Sequence, residues 1–381
     1  MSTISPAREA ASDAAVNDVI ISADSHVLEP YDLWAKEVPW AVEHMSHLPA
    51  RSEGHKPGGP DVWKLYKAGR AGEPRDANTP MGGQDPSTRL LEMAVDGVSA
   101  EVLYTTLGLR LYSMDHAEAQ EACFRVFNDY LIDYCKPNLD RLLGVACISV
   151  YNIDRAVKEL ERCHKAGLRG ALIWQAPHPD LPFHSDHYNP FWEAAEALGV
   201  PVSVHSLTGH NYTKNPTSST GEGVQRYKNS VNNKLWETSD ALVDLIFTGV
   251  LERYPGLKFV LVEDEIGWLP FYLQQWDRLY RRDSGKNAAI PEKPSFYWQR
   301  QIFSTFFEDP IGCHLLGVWG QDNCMWSSDY PHANSLWPRS REYIANDLGH
   351  LGPEAKQKIL RDNVARLYGM TIPTPIPEPA S

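Results

Sequence analysis

Ile20-Ile21-Ser22-Ala23-Asp24-Ser25-His26 is an apolar run that closes on Asp-x-His. Side chains alternate along a strand, so residues two apart project to the same side. Asp24 and His26 are therefore expected together at the end of a strand. A carboxylate beside an imidazole is half of a site for Zn²⁺, Fe²⁺ or Mn²⁺. Two further runs supply the other half: Pro201-Val202-Ser203-Val204-His205 ends in a histidine, and Met325-Trp326-Ser327-Ser328-Asp329 ends in an aspartate.

Outward from that stretch, strand and helix patterns alternate. Strands are expected at 20–26, 100–104, 142–150, 170–174, 201–205, 257–262, 301–307 and 324–327. Helical patterns follow them at 88–96, 115–138, 153–166, 190–198, 240–253, 266–282, 310–317 and 353–368. Several strands are short apolar runs without strict alternation, as strands buried on both faces are. A (β/α)8 TIM barrel accounts for eight such units at this length. An open, doubly wound sheet would want a glycine-rich turn after an early strand, and no G-x-G-x-x-G or Walker sequence is present.

The 381 residues divide into a flexible lead, 1–17, the barrel, 18–370, and a proline-rich tail, 371–381. An insertion over about 31–86, rich in Gly, Pro and charge, follows the first strand, and a second irregular stretch from Leu207 to Trp236 follows the fifth. Both are too long for simple connections. With Trp34, Trp40, Trp63 and Trp236 in them, they are expected to cover the barrel mouth and to build a subunit contact.

Composition excludes several classes. A formal charge of −13 argues against nucleic acid, which needs a basic face. No apolar run reaches the ~20 residues of a membrane helix, and the N-terminus lacks the order of a signal peptide. The expectation is a cytoplasmic enzyme acting on a small molecule, as a homo-oligomer or with a related subunit. The six cysteines include no C-x-x-C pair and read as reduced core thiols.

In a barrel the functional side chains sit at the C-terminal ends of the strands. Asp24 and His26 follow strand 1, His205 strand 5, Glu263 strand 6 and Asp329 strand 8, so all five are expected on one rim. His332 lies three residues beyond Asp329. Arg110, Trp174 and His178, past strands 2 and 4, are the candidates for contact with a substrate. His164, His184, His187, His314 and His350 read as exposed or structural.

These motifs resemble the amidohydrolase superfamily, in the branch that includes aminocarboxymuconate-semialdehyde decarboxylase and resorcylate-type decarboxylases. The resemblance covers about Val19 to Tyr368. It rests on Asp24-Ser25-His26, on Pro201 to His205, on Tyr254-Pro255-Gly256-Leu257-Lys258 and on Ser328-Asp329-Tyr330-Pro331-His332. It implies a divalent metal on Asp24, His26, His205 and Asp329, with Asp329 also handling a proton. The sequence departs from the branch after strand 6, where Glu263 stands in place of a histidine that acts in catalysis. Strand 4 ends in Trp174-Gln175, so the modified lysine that bridges two metals in many relatives has no counterpart.

The expected activity is metal-dependent hydrolysis or non-oxidative decarboxylation of a small carbonyl or carboxylate compound. Zinc is the first expectation for the metal, with iron or manganese as alternatives, in one or two ions. Asp329, Glu263 and His332 are the candidates for proton transfer, and Glu263 doubles as a candidate ligand. Two other readings use the same residues: an iron oxygenase, possible because three carboxylates and three imidazoles can hold two metals, and a non-catalytic subunit with a structural metal.

Overall fold

A computed structural model describes residues 19–30, 32–45, 82–211, 224, 231–232, 234–332 and 334–376. The lead, most of the 31–86 insertion including Trp63, much of the 207–236 stretch and the end of the tail lie outside them. Eight parallel strands form one sheet in sequence order: β1 (Ile21–His26), β2 (Ala100–Tyr104), β3 (Leu142–Cys147), β4 (Gly170–Ile173), β5 (Val202–His205), β6 (Phe259–Val262), β7 (Ile302–Phe306) and β8 (Cys324–Trp326). Every strand residue is buried, as expected where helices cover the outside and side chains fill the inside.

The chain beyond β8 closes the ring. Asp329 N donates to Asp24 O at 3.0 Å, and His26 N donates to Tyr330 O at 2.7 Å. The architecture is the TIM barrel read from the sequence.

Beneath this seam lies a knot of hydroxyls. Ser22 Oγ donates to Asp24 O at 2.9 Å and lies 3.0 Å from Ser25 Oγ and 3.2 Å from Ser328 Oγ. Arg89, fully buried, pairs with Glu101 of β2 and donates to His26 O at 2.6 Å. The buried guanidinium and carboxylate thereby satisfy each other, as buried charges must.

The outer elements depart from the expected ones in places. The helix Pro294–Gln301 precedes β7 and the helix Ser340–Leu348 follows β8; neither was legible. In the first, Phe296, Tyr297 and Trp298 are consecutive, so the apolar residues give no helical period. The second is mostly polar, with Ser340, Ile344 and Leu348 as its buried residues. The expected helix over 240–253 starts earlier, as Lys234–Phe247, and is interrupted before Val250–Arg253 by Gly249 at φ 79°. The last helix carries a π-turn at Lys358–Asp362.

Trp34 corrects another expectation. It is a core residue whose indole N–H donates to Cys123 O at 2.9 Å, not part of an exposed cover. Trp40 and Trp236 are 48% and 71% exposed. All six cysteines are free and buried. Among the described residues no helix is long and apolar enough to cross a membrane.

Candidate metal centre

Asp24 reaches the barrel mouth through an irregularity that simple alternation does not anticipate. The pairing of β1 with β2 runs Ile21–Ala100 and Ser22–Glu101, then resumes at Ser25–Leu103. β1 thus spends one more residue than β2 between Ser22 and Ser25, a bulge that re-aims Asp24. The two side chains still meet: Asp24 Oδ1 lies 3.4 Å from His26 Nε2.

His205, at the end of β5, brings its Nε2 to 3.7 Å from the same Oδ1. Asp329 Oδ1 lies 3.4 Å from His26 Nε2 on the other side. Asp329 adopts a left-handed backbone at φ 55°, uncommon for a non-glycine residue and typical of functional positions. The ligand atoms of Asp24, His26 and His205 all lie within 4.8 Å of one another, and so do those of His26, Asp329 and His332.

The histidines are turned for ligation. His26 Nδ1 lies 2.7 Å from Thr105 O, and His205 Nδ1 lies 2.6 Å from Ser206 O. A carbonyl only accepts, so each ring carries a proton on Nδ1 and turns its Nε2 inward, the nitrogen a metal would take. Among the described residues neither Nε2 has a hydrogen-bond partner, nor does either oxygen of Asp24. Four buried polar atoms converging without partners would be costly unless a cation joins them. The residues present therefore fit a divalent metal.

The site's electrostatics fit too. Burial favours a neutral Asp24, but the proximity of His205 and His26 outweighs it and holds its carboxyl well below the usual range. Burial likewise opposes a charge on His205, and Asp24 with Glu263 outweighs it, raising the pKa to about 9. His26 moves down, through burial and the proximity of His332. Asp329 moves up through burial, although the His332 Nδ1 at 2.8 Å opposes the shift. A proton on His205 thus balances Asp24 where a cation would otherwise do so.

Glu263, at the end of β6 with φ 60°, approaches from another side. Its Oε2 accepts from Ser206 Oγ at 2.5 Å and lies 3.7 Å from His205 Nδ1, the edge of the ring opposite to the inward Nε2. It stands outside both groupings of ligand atoms. Burial alone would raise its pKa, but Lys234, His205 and Ser206 lower it. Lys234, which opens the helix to Phe247, was not singled out in the sequence and faces Glu263, Asp264 and Glu265.

Of the expected substrate contacts, Trp174 and His178 both pack against the rings of Tyr151 and His210. Trp174 is fully buried, its indole donating to Tyr188 Oη at 3.1 Å. Arg110 is exposed on the turn Gly108–Ser113. His178 stands at the mouth, its ring 4.4 Å from that of His210, whose Nε2 lies 3.0 Å from Asp115 Oδ1. Asp115, His178 and His210 form a third trio of ligand types. However, His178 Nδ1 accepts the Asp180 N–H at 3.1 Å, which leaves the ring proton on Nε2. The trio is prepared to donate a hydrogen bond rather than to ligate.

Sequence reading also missed the residues behind the histidines: Glu29, Thr105, Thr106, Arg89 and Glu101. The one signal available was Glu101, a charge inside an otherwise apolar strand.

Residues 38–370 match the amidohydrolase family. A gamma-resorcylate decarboxylase of Polaromonas sp. is 26% identical over 279 residues, 66% of this chain and 78% of that protein. An amidohydrolase of Mycobacterium avium subsp. paratuberculosis has a crystal structure that superposes with a TM-score of 0.74 at 21% identity, over 93% of this chain and 100% of that one. The crystal structure of a dihydroxybenzoic acid decarboxylase from Polaromonas sp., with bound manganese and the inhibitor 2-nitroresorcinol, superposes with a TM-score of 0.64 at 18% identity, over 92% and 97%.

Proposed function

This chain belongs to the amidohydrolase family, and from that premise we propose that it is a metal-dependent decarboxylase of small hydroxylated aromatic acids. The observation that carries the reading is the convergence of His26 Nε2, His205 Nε2 and the Asp24 oxygens, all buried without hydrogen-bond partners, beside Asp329. The name of the Polaromonas relative supports the substrate class.

Asp24, His26, His205 and Asp329 would hold the metal. Two carboxylates and two imidazoles suit manganese as well as the zinc expected from sequence, and the manganese of the Polaromonas structure favours manganese. When bound, such an ion supplies a Lewis acid that polarises substrate oxygens.

The chain's own groups would do the rest. Decarboxylation breaks the bond from ring carbon to carboxylate, releases CO₂ and places a proton on that carbon. His332 Nδ1, 2.8 Å from Asp329 Oδ1, shares a proton with it, and we assign delivery to this pair. Glu263 stays ionised and serves as the acceptor for a substrate hydroxyl rather than as the acid. Six free, buried thiols fit a cytoplasmic enzyme, and exposed Trp40 and Trp236 fit assembly with another copy or a related subunit.

The test is CO₂ release from 2,6-dihydroxybenzoate and related ortho-hydroxybenzoates. Manganese-loaded protein should turn over at least one of them, and chelator-stripped protein should not until manganese is restored. Loaded protein inert toward the whole series would sink the proposal. Two equivalents of iron on anaerobic purification would favour the oxygenase, for which the sharing of His26 between two ligand groupings is the supporting observation.

A further inference from the structure

We infer that Glu29 is a positioning residue for the metal centre, acting through the turn that follows β2. The inference rests on reading Asp24, His26, His205 and Asp329 as metal ligands.

Glu29 lies three residues past His26 and is fully buried. No cation meets its carboxylate among the described residues. Instead it is wrapped by one turn of chain. Oε1 accepts from the Thr105 hydroxyl, from Thr106 N at 3.0 Å and from Gly108 N at 3.4 Å, and Oε2 accepts from Leu107 N at 3.0 Å. Successive backbone N–H groups turned inward make an anion cradle. The cradle admits no side chain at its end, since a Cβ on Gly108 would run into the Thr105 hydroxyl.

The same turn makes both contacts that orient the imidazoles on this side of the site. Thr105 O takes the Nδ1 proton of His26 at 2.7 Å and so leaves Nε2 bare. Thr106 Oγ1 lies 3.2 Å from His332 Nε2 and is itself anchored on Val27 O at 2.7 Å. Glu29 therefore touches no reacting group, yet fixes the carbonyl that sets one ligand's tautomer and the hydroxyl that holds His332. Carboxylates behind a metal's histidines typically change metal affinity about 10–100-fold when lost. Here the carboxylate acts at one remove, through the backbone it folds.

The test measures metal affinity and thermal stability side by side. Glu29→Gln keeps one acceptor oxygen and Glu29→Ala keeps none, so manganese affinity by chelator competition should fall in that order. The expected loss for Glu29→Gln is about tenfold, and the visible spectrum of the cobalt(II)-substituted protein should shift as the His26 ring loosens. Asp277→Asn controls for general damage. Asp277 is a buried acid that accepts from Ser295 N at 2.9 Å on an outer helix, and its variant should lose melting temperature while keeping metal affinity. Should the Glu29 variants not fold, Thr105→Val, which removes the hydroxyl that donates to Glu29 and accepts from Gly108 N at 2.9 Å, carries the same expectation. Wild-type metal affinity and an unchanged cobalt spectrum in folded Glu29→Ala would overturn the inference. The metal-centre reading fails separately, if His26→Ala and His205→Ala themselves bind manganese as the wild type does.

Discussion

His205 and His26 are one residue type in one site, yet their pKa values move apart. Burial pulls both down, and Asp24 reverses the effect for His205 alone, to about 9. The sign of the pH dependence follows. In metal-free protein this raised pKa is stabilising below the ordinary 6.5, and that contribution is lost as pH rises through about 9. A metal must displace the same proton, so affinity should weaken as pH falls, with release of about one proton per ion at pH 7. Calorimetric titration of manganese in buffers of different ionisation enthalpy checks this. His205→Ala should abolish both the release and turnover, and release that persisted there would show the proton to come from another group. The residues proposed as ligands were readable in sequence as candidates because each closes an apolar run at a strand end. Glu29 and Thr105 were not, because their roles come from backbone groups that no side-chain pattern encodes.

Among elements, the strands were legible and the connections less so. Burial on both faces leaves a strand a continuous apolar signature, whereas an outer helix can be mostly polar, as Ser340–Leu348 is. The bulge in β1 left no mark in the sequence, because Ala23-Asp24 reads equally well as regular alternation. Gly249 and Gly199 both end helical segments with positive φ, 79° and 65°, but in different surroundings. A Cβ at Gly249 would meet Ala289 O at 2.6 Å, whereas at Gly199 nothing lies within 4 Å. Gly199→Ala should therefore cost only the left-handed penalty of about 1 kcal/mol. Gly249→Ala adds a clash with backbone and should cost about 2–4 kcal/mol. Urea denaturation measures both, and equal losses would remove the clash from the account. Metal affinity should be untouched in either.

At the scale of the whole molecule, the proposed metal ligands would do a second job, because they come from opposite sides of the barrel's closure. Asp24 and His26 belong to β1, Asp329 follows β8, and His205 ends β5 across the ring. Without a cation, two buried carboxylates stand on either side of His26 Nε2, each 3.4 Å from it, where among the described residues Asp329 N to Asp24 O and His26 N to Tyr330 O are the backbone bonds across the seam. Like charges at such a seam repel, and burial strengthens the repulsion. The shifts show the cost of burying these charges: burial, with Glu263 adding to it, pushes Asp329 toward its neutral form, and His205 gains a proton beside Asp24. A bound ion would remove the repulsion and, by binding the folded chain alone, stabilise it according to its affinity. Chelation should therefore lower the melting temperature and loosen the barrel locally rather than evenly. Hydrogen exchange should quicken in β1 and at 327–330, and hardly at all between β3 and β4, where strands pair regularly and no ligand enters. Uniform quickening over all eight strands, or no change at the seam, would mean that the ligands hold the metal without the metal holding the barrel.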